Sequence, residues 1–189
     1  MKWKVLESEY LFTEPWLTIR RDRCELPNGN IMPAFYVQEY PTWVCVFALT
    51  KENKVVMVKQ YRHGIQEISI EPAGGVVDKG EEPLTAIKRE VMEETGYEFQ
   101  SYEFLGKVCA NPSTGDNYLH MFLATGGKKV KEQSLDANEE IEVLELSFEE
   151  LMQLMDENKI MQSMHMTTIY YALKMLGKLS ISKDWPGIF

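Results

Sequence analysis

The chain has 189 residues, 29 acidic against 20 basic, for a formal net charge of −9; 44% are hydrophobic and 26% charged. This describes an ordinary globular chain long enough to bury a core; its acidity disfavours binding the nucleic-acid backbone, and no apolar run approaches the roughly 18–20 residues of a membrane helix. Cys24, Cys45 and Cys109 are widely spaced and give neither a disulfide framework nor a CxxC metal pair, and Glu7 interrupts any leader-like apolar stretch, so a cytoplasmic setting without nucleic-acid or membrane partners is expected.

In chain order, Val5–Phe12 and Trp16–Leu26 are rich in aromatic and β-branched residues and are predicted strands. Pro27-Asn28-Gly29-Asn30 carries the Asn-Gly signal of a tight hairpin that returns through Met32–Tyr40. Trp43–Leu49 and Val55–Val58 are near-continuous apolar runs joined by a polar turn, the pattern of buried strands. Pro72-Ala73-Gly74-Gly75 is expected to form a turn or loop. A helix is predicted from Pro83 to about Thr95: Pro83 suits its first turn, Leu84, Ile87 and Val91 recur on one side to anchor it on a sheet, and Gly96 suits its stop. Strands resume at Phe104–Cys109, Tyr118–Ala124 and Ile141–Leu146, Ser147 and Glu150 have the spacing of a capping box, and Met152–Asp156 and Met161–Leu176 are predicted helices. The fold class is α+β: a mixed sheet flanked by helices, with an N-terminal antiparallel β lobe over residues 1–42 and the main domain over 43–189. Trp185 to Phe189 receive no assignment.

The chemistry concentrates between Gly75 and Tyr97. At about 100° per residue, Glu90, Glu93 and Glu94 share one helix face, and small Ala86 lies one turn earlier on that face. Like charges at this spacing repel, and a hard divalent cation among the oxygens relieves the repulsion. Glu81, at the end of the preceding loop, extends the acidic wall. A Glu-rich helix is ordinarily just a solvated face, but here eight positions carry a fixed spacing that chance matches on the order of once in 10⁹ windows.

Those positions (Gly75, Glu81, Arg89, Glu90, Val91, Glu93, Glu94 and Gly96) resemble the box of the Nudix hydrolases, Gly-x5-Glu-x7-Arg-Glu-U-x-Glu-Glu-x-Gly-U with U a bulky aliphatic. The one departure is Tyr97 at the last U. The resemblance implies an α/β/α Nudix sandwich and hydrolysis of a nucleoside diphosphate linked to another group, with Glu90 and Glu94 as principal ligands of Mg²⁺, or of Mn²⁺ in its place. It further implies Glu93 as an additional ligand or orienter, the Gly74 carbonyl as an extra oxygen, and Arg89 as the residue that holds Glu81 and the loop against the helix.

Lys59-Gln60-Tyr61-Arg62 and Glu71-Pro72-Ala73-Gly74 are similar to the ADP-ribose (ADP-sugar) pyrophosphatase branch, although Pro-Ala-Gly stands one residue early here and is followed by an added glycine; the likeness covers about Trp16 to Val143. Arg62 has a chemistry of its own, since a guanidinium fork fits phosphate oxygens bidentately; an ion pair with Glu67 or Glu71 is the alternative. In this branch a glutamate of a late loop activates the attacking water, and Asn138-Glu139-Glu140-Ile141-Glu142-Val143 points to Glu139, with Glu140 and Glu142 as the alternatives if the register slips. Asp116, in the loop from Asn111, falls where relatives contact the distal sugar. Trp16 stands where a close relative's adenine-stacking tryptophan stands, and Tyr36 is a second aromatic on the next strand; each could instead be core. A small aromatic-laden β lobe fits the branch's two-fold homodimer, whose sites are built by two chains. The expected reaction is cleavage of ADP-ribose to AMP and ribose 5-phosphate; the alternatives are another nucleotide sugar such as GDP-mannose, and a non-cleaving sensor of the same fold. His63, His120 and His165 show no ligand spacing and are read as structural.

Overall fold

The computed structural model describes residues 1–179, so Trp185 to Phe189 lie outside the described residues. Its strands divide into two sheets. β1 (Lys4–Glu14), β2 (Leu17–Glu25) and β3 (Ile31–Glu39) form an antiparallel sheet in that order. The hairpin between β2 and β3 closes at Leu26 to Asn30 with Gly29 at φ 83°, the left-handed conformation that an Asn-Gly turn supplies. Pro33 is tolerated in β3 because that strand pairs in the sheet only with β2.

The second sheet takes β4 (Trp43–Thr50), β5 (Val55–Arg62), β6 (Glu67–Glu71), β7 (Gly74–Val76), β8 (Tyr97–Glu98), β9 (Ser101–Val108), β10 (Leu119–Lys129) and β11 (Ile141–Leu146). Its spine runs β11-β5-β4-β10-β8, with β4 and β10 parallel and the other pairings antiparallel. β4 alternates its side chains. Val44, Val46 and Ala48 pack with Ala86, Ile87 and Val91 of helix α1 (Pro83–Thr95). Phe47 and Leu49 point the other way, to Leu151 of α2 (Phe148–Asp156) and to Ile169, Ala172 and Leu173 of α3 (Ser163–Met175). A strand buried on both faces must be apolar at every position, which is why the run from Trp43 shows no alternation in sequence. The result is the α/β/α sandwich that was expected.

The helix boundaries have local causes. Pro83 occupies the first turn of α1 and Gly96 ends it at φ 73°. A Cβ at Gly96 would also lie 2.1 Å from the Lys131 carbonyl oxygen, so glycine is required there twice over. Ser147 accepts from the Glu150 N–H at 3.1 Å while the Glu150 carboxylate accepts from the Ser147 N–H at 2.7 Å, a complete capping box.

Two expectations are corrected, and one strand is added. Leu84 is 41% exposed and does not anchor α1; the buried stripe runs through Ala86, Ile87, Val91 and Glu94, which leaves Leu84 at its rim in the first turn. Gly74 and Gly75 are not loop, because they pair with Cys45 and Val44 as β7. Glu67–Glu71, which was given no element, is a strand on β5.

This last pairing positions the site. β5 pairs with β4 only at Ala48–Val56 and Leu49–Val55 before turning onto β6, and β7 takes the other half of that edge of β4. Beside β7 lies α1.

Candidate active site

The acidic face of α1 closes onto β7. The Gly74 N–H donates to Glu94 Oε2 at 3.0 Å, and a Cβ on Gly75 would sit 2.4–2.5 Å from the Glu90 carboxylate. Any side chain at 75 would expel Glu90, so both box positions are fixed by one close approach. Glu94 is 6% exposed. Burial, reinforced by the charges of Glu90 and Glu139 against the bond from Gly74, pushes its carboxyl up to about 8. Glu90 is raised as well, by burial and the nearby Glu93, with Arg89 opposing.

Arg89 ties the wall together. Its Nε and Nη2 meet the Glu81 carboxylate at 3.2 and 2.9 Å, Nη2 also donates to the Val76 carbonyl at 3.0 Å, and Nη1 reaches Glu90 and Glu93 at 2.8 and 3.3 Å. Loop, β7 and helix are thus joined through one guanidinium, and Arg89 in turn lowers the Glu81 carboxyl below its usual range. Among the described residues no three His, Cys, Asp or Glu side chains converge tightly enough to form a ready ion cage; Arg89 neutralises part of the wall instead. The donor set nevertheless suits a hard divalent cation. Its side chains are all carboxylates, and Glu94 is an acid raised first by burial and then by the negative charge of Glu90 and Glu139, a charge that a cation would offset.

Glu139 is exposed and accepts from the Asp136 N–H at 3.0 Å in the turn before β11, and its charge acts on Glu94. Glu142 is turned to Lys59 of β5, 2.7 Å away across the β11–β5 register. Glu140 is exposed. Tyr97, at the departing box position, packs in the core with Phe99 and hydrogen-bonds Glu145 through its hydroxyl.

Other expectations fall differently. Arg62 does not present an open fork: its Nε and Nη2 both hold Glu71, at 2.9 and 2.5 Å. Asp116 accepts from the Tyr40 N–H at 3.1 Å, and its loop is pinned to β3 by the Gln38 N–H bond to the Thr114 carbonyl at 2.7 Å. Trp16 occupies the turn between β1 and β2 and is 80% exposed, and Tyr36 on β3 is 51% exposed, so neither is core of this chain. Sequence spacing gave no site role to Glu71, which is 1% exposed, or to His165, which lies 3.7 Å from it; the Glu71-Pro72-Ala73-Gly74 series was the available signal for the first, and nothing local marks the second.

Residues 39–166 match the NUDIX domain, and residues 3–37 match the nucleoside diphosphate sugar hydrolase N-terminal domain. The chain belongs to the Nudix family. Among its relatives are a methanol dehydrogenase activator of Bacillus methanolicus, 34% identical over 89% of this chain and 91% of its own length, and an ADP-ribose pyrophosphatase of Bacillus subtilis, 31% identical over the same shares. A GDP-mannose pyrophosphatase of Klebsiella pneumoniae is 30% identical over 94% of each chain. A solved structure described as an ADP compounds hydrolase superposes with a TM-score of 0.82, covering 95% of this Nudix chain and 98% of its own at 19% identity, a likeness of fold.

Proposed function

We propose that this Nudix chain is a divalent-cation-dependent hydrolase that cleaves the pyrophosphate bond of a nucleoside diphosphate sugar, with ADP-ribose to AMP and ribose 5-phosphate as the leading reaction. The observation that carries the reading is the intact carboxylate wall of Glu90, Glu93 and Glu94, seated on β7 with Glu94 buried. That set also disfavours a non-cleaving sensor, which has no use for a buried acid of this kind. The relative named for ADP-ribose supports the leading substrate and the relative named for GDP-mannose the alternative.

Glu90 and Glu94 would hold Mg²⁺, or Mn²⁺ in its place, with Glu93 and the Gly74 carbonyl completing the set; the bound cation would neutralise charge on the pyrophosphate oxygens. Glu139 takes the proton of the attacking water, a role supported by its electrostatic reach to Glu94 and by the engagement of Glu142 with Lys59. Arg89 holds the loop and helix together and orients Glu90 and Glu93. Arg62 contacts a phosphate, the loop bearing Asp116 borders the distal sugar, and Trp16 with Tyr36 stacks the base. Their exposure in a single chain supports a homodimer whose sites take the aromatic surface from the partner copy. A cytoplasmic, small-molecule role fits the described residues, none of which forms a helix long and apolar enough to cross a membrane.

A panel of ADP-ribose, GDP-mannose and related substrates with Mg²⁺, read by release of AMP, GMP or phosphate, tests the reading. AMP from ADP-ribose, abolished by chelator, is the expected result. Glu139→Gln should lower kcat by roughly 10²–10⁴-fold at nearly constant KM, and Glu140→Gln far less; the reverse order would move the base to Glu140.

A further inference from the structure

Glu71, at the end of β6, is 1% exposed and is paired with an arginine whose side chain is 47% exposed. The contacts are one-sided. Arg62 Nε lies 2.9 Å from Oε1 and 3.2 Å from Oε2, and Nη2 lies 2.5 Å from Oε2. Among the described residues Nη1 takes part in none of the hydrogen bonds that Arg62 makes. Gln60 Nε2 also reaches Glu71 Oε2, at 3.5 Å, and His165 Nδ1 of α3 stands 3.7 Å from the same oxygen. His165 Nδ1 is buried without a hydrogen-bond partner among the described residues. Burial keeps the imidazole neutral, pushed down to about 4, so Arg62 is the cation that compensates Glu71. Burial pushes the Glu71 carboxyl up, yet opposing influences, foremost the hydrogen bonds of Arg62, bring it below the usual range, and it is an anion at neutral pH.

A long arginine with several rotatable bonds loses much of its freedom when its Nε–Nη2 edge is gripped by a fixed carboxylate. Glu71 cannot move to follow it, being enclosed between β5 and α3. We propose that Glu71 is a positioning residue: it clamps the Nε–Nη2 edge of Arg62, with α3 and His165 behind it, and thereby holds Nη1 as the edge offered to a phosphate oxygen of the substrate. Arg62 then makes an end-on contact, not the bidentate one its fork alone suggests. The inference rests on the proposed assignment of Arg62 to the substrate phosphates.

A contact of this kind serves substrate and transition state alike, so it appears in KM. E71Q, which removes the charge, and E71D, which withdraws the carboxylate by one methylene, should each raise KM for ADP-ribose by roughly tenfold with kcat within about threefold. In an R62M background, E71Q should change KM by less than about twofold, because the clamp then has nothing to hold. Thermal unfolding of each variant confirms folding, and E71D, which keeps the buried charge, reads the same displacement if E71Q does not fold. Unchanged KM in folded E71Q or E71D would overturn the inference, as would a tenfold effect that persists in R62M, which would mark Glu71 as acting independently of Arg62. If the wild type cleaves none of the substrates, the functional reading falls by itself; ADP affinity measured by calorimetry for the same variants then decides the clamp by the same criteria.

Discussion

β4 and β1 are both rich in apolar residues, and they end in opposite environments. All of β4 but Trp43 is buried, whereas every residue of β1 is exposed. β4 lies mid-sheet with α1 on one face and α2 and α3 on the other. β1 is the edge of a three-stranded sheet that has no second layer among the described residues, and among residues 1–42 only Asp22 and Cys24 are buried. Val5, Leu6, Leu11, Phe12 and Leu17 are each left exposed, apolar area that a sheet ordinarily buries against another layer. β4 is thus covered on both faces within one chain, whereas β1 has no such cover among the described residues, a contrast that supports the proposed second copy.

The sharpest break in that comparison is chemical. Glu94→Gln strikes the larger sheet's site at its buried acid and should lower turnover by about 10³-fold or more while leaving the N-terminal sheet, and the proposed association, untouched. Steady-state kinetics and analytical ultracentrifugation read the two together, and an active Glu94→Gln would sink the metal assignment.

Truncation separates the two regions by stability. Phe47→Ala, in the core under α2 and α3, should cost about 3–5 kcal/mol of unfolding free energy. Phe12→Ala, 53% exposed on β1, should cost under about 1 kcal/mol in the isolated chain and act instead by weakening self-association. Equal losses in denaturant melts would erase the distinction.

Trp16→Ala should raise KM by an amount equivalent to about 1–3 kcal/mol of stacking with kcat nearly intact. Mixing Trp16→Ala chains with Glu94→Gln chains sharpens the point. If the tryptophan serves the partner's site, heterodimers contain one wild-type site, and activity at low substrate should exceed that of either parent. No recovery after demonstrated subunit exchange would assign Trp16 to its own chain's site or to no site at all.

The remaining effect is on pH. The Glu94 carboxyl is raised to about 8 in the fold from an ordinary value of 4.5, so its contribution to apoprotein stability is full below about 4.5 and is lost as pH rises through 8. A cation must displace that proton, so Mg²⁺ affinity should climb by up to tenfold per pH unit, about 1.4 kcal/mol, and level off above pH 8. The Mg²⁺-induced rise in Tm should therefore be larger at pH 8 than at pH 6; a constant rise would place the ion elsewhere.

What the sequence determined by itself is local. The single face of Glu90, Glu93 and Glu94 follows from helical periodicity, the left-handed stop from Gly96, the β2–β3 hairpin from Asn28-Gly29, and the α2 cap from Ser147 and Glu150; each depends on residues within a few positions of one another. What only the tertiary structure decided involves partners brought together by strand register and layer packing. The grip of Glu71 on Arg62 depends on how β6 lies along β5, and His165 reaches Glu71 only because α3 packs beneath the sheet. The turning of Glu142 to Lys59 depends on the β11–β5 register, the bond of Asp116 to the Tyr40 N–H on where the loop meets β3, and the exposure of Leu84 on where α1 meets the sheet. A carboxylate's neighbour across a sheet is invisible in linear spacing, because a slip of one residue in register would hand it a different partner.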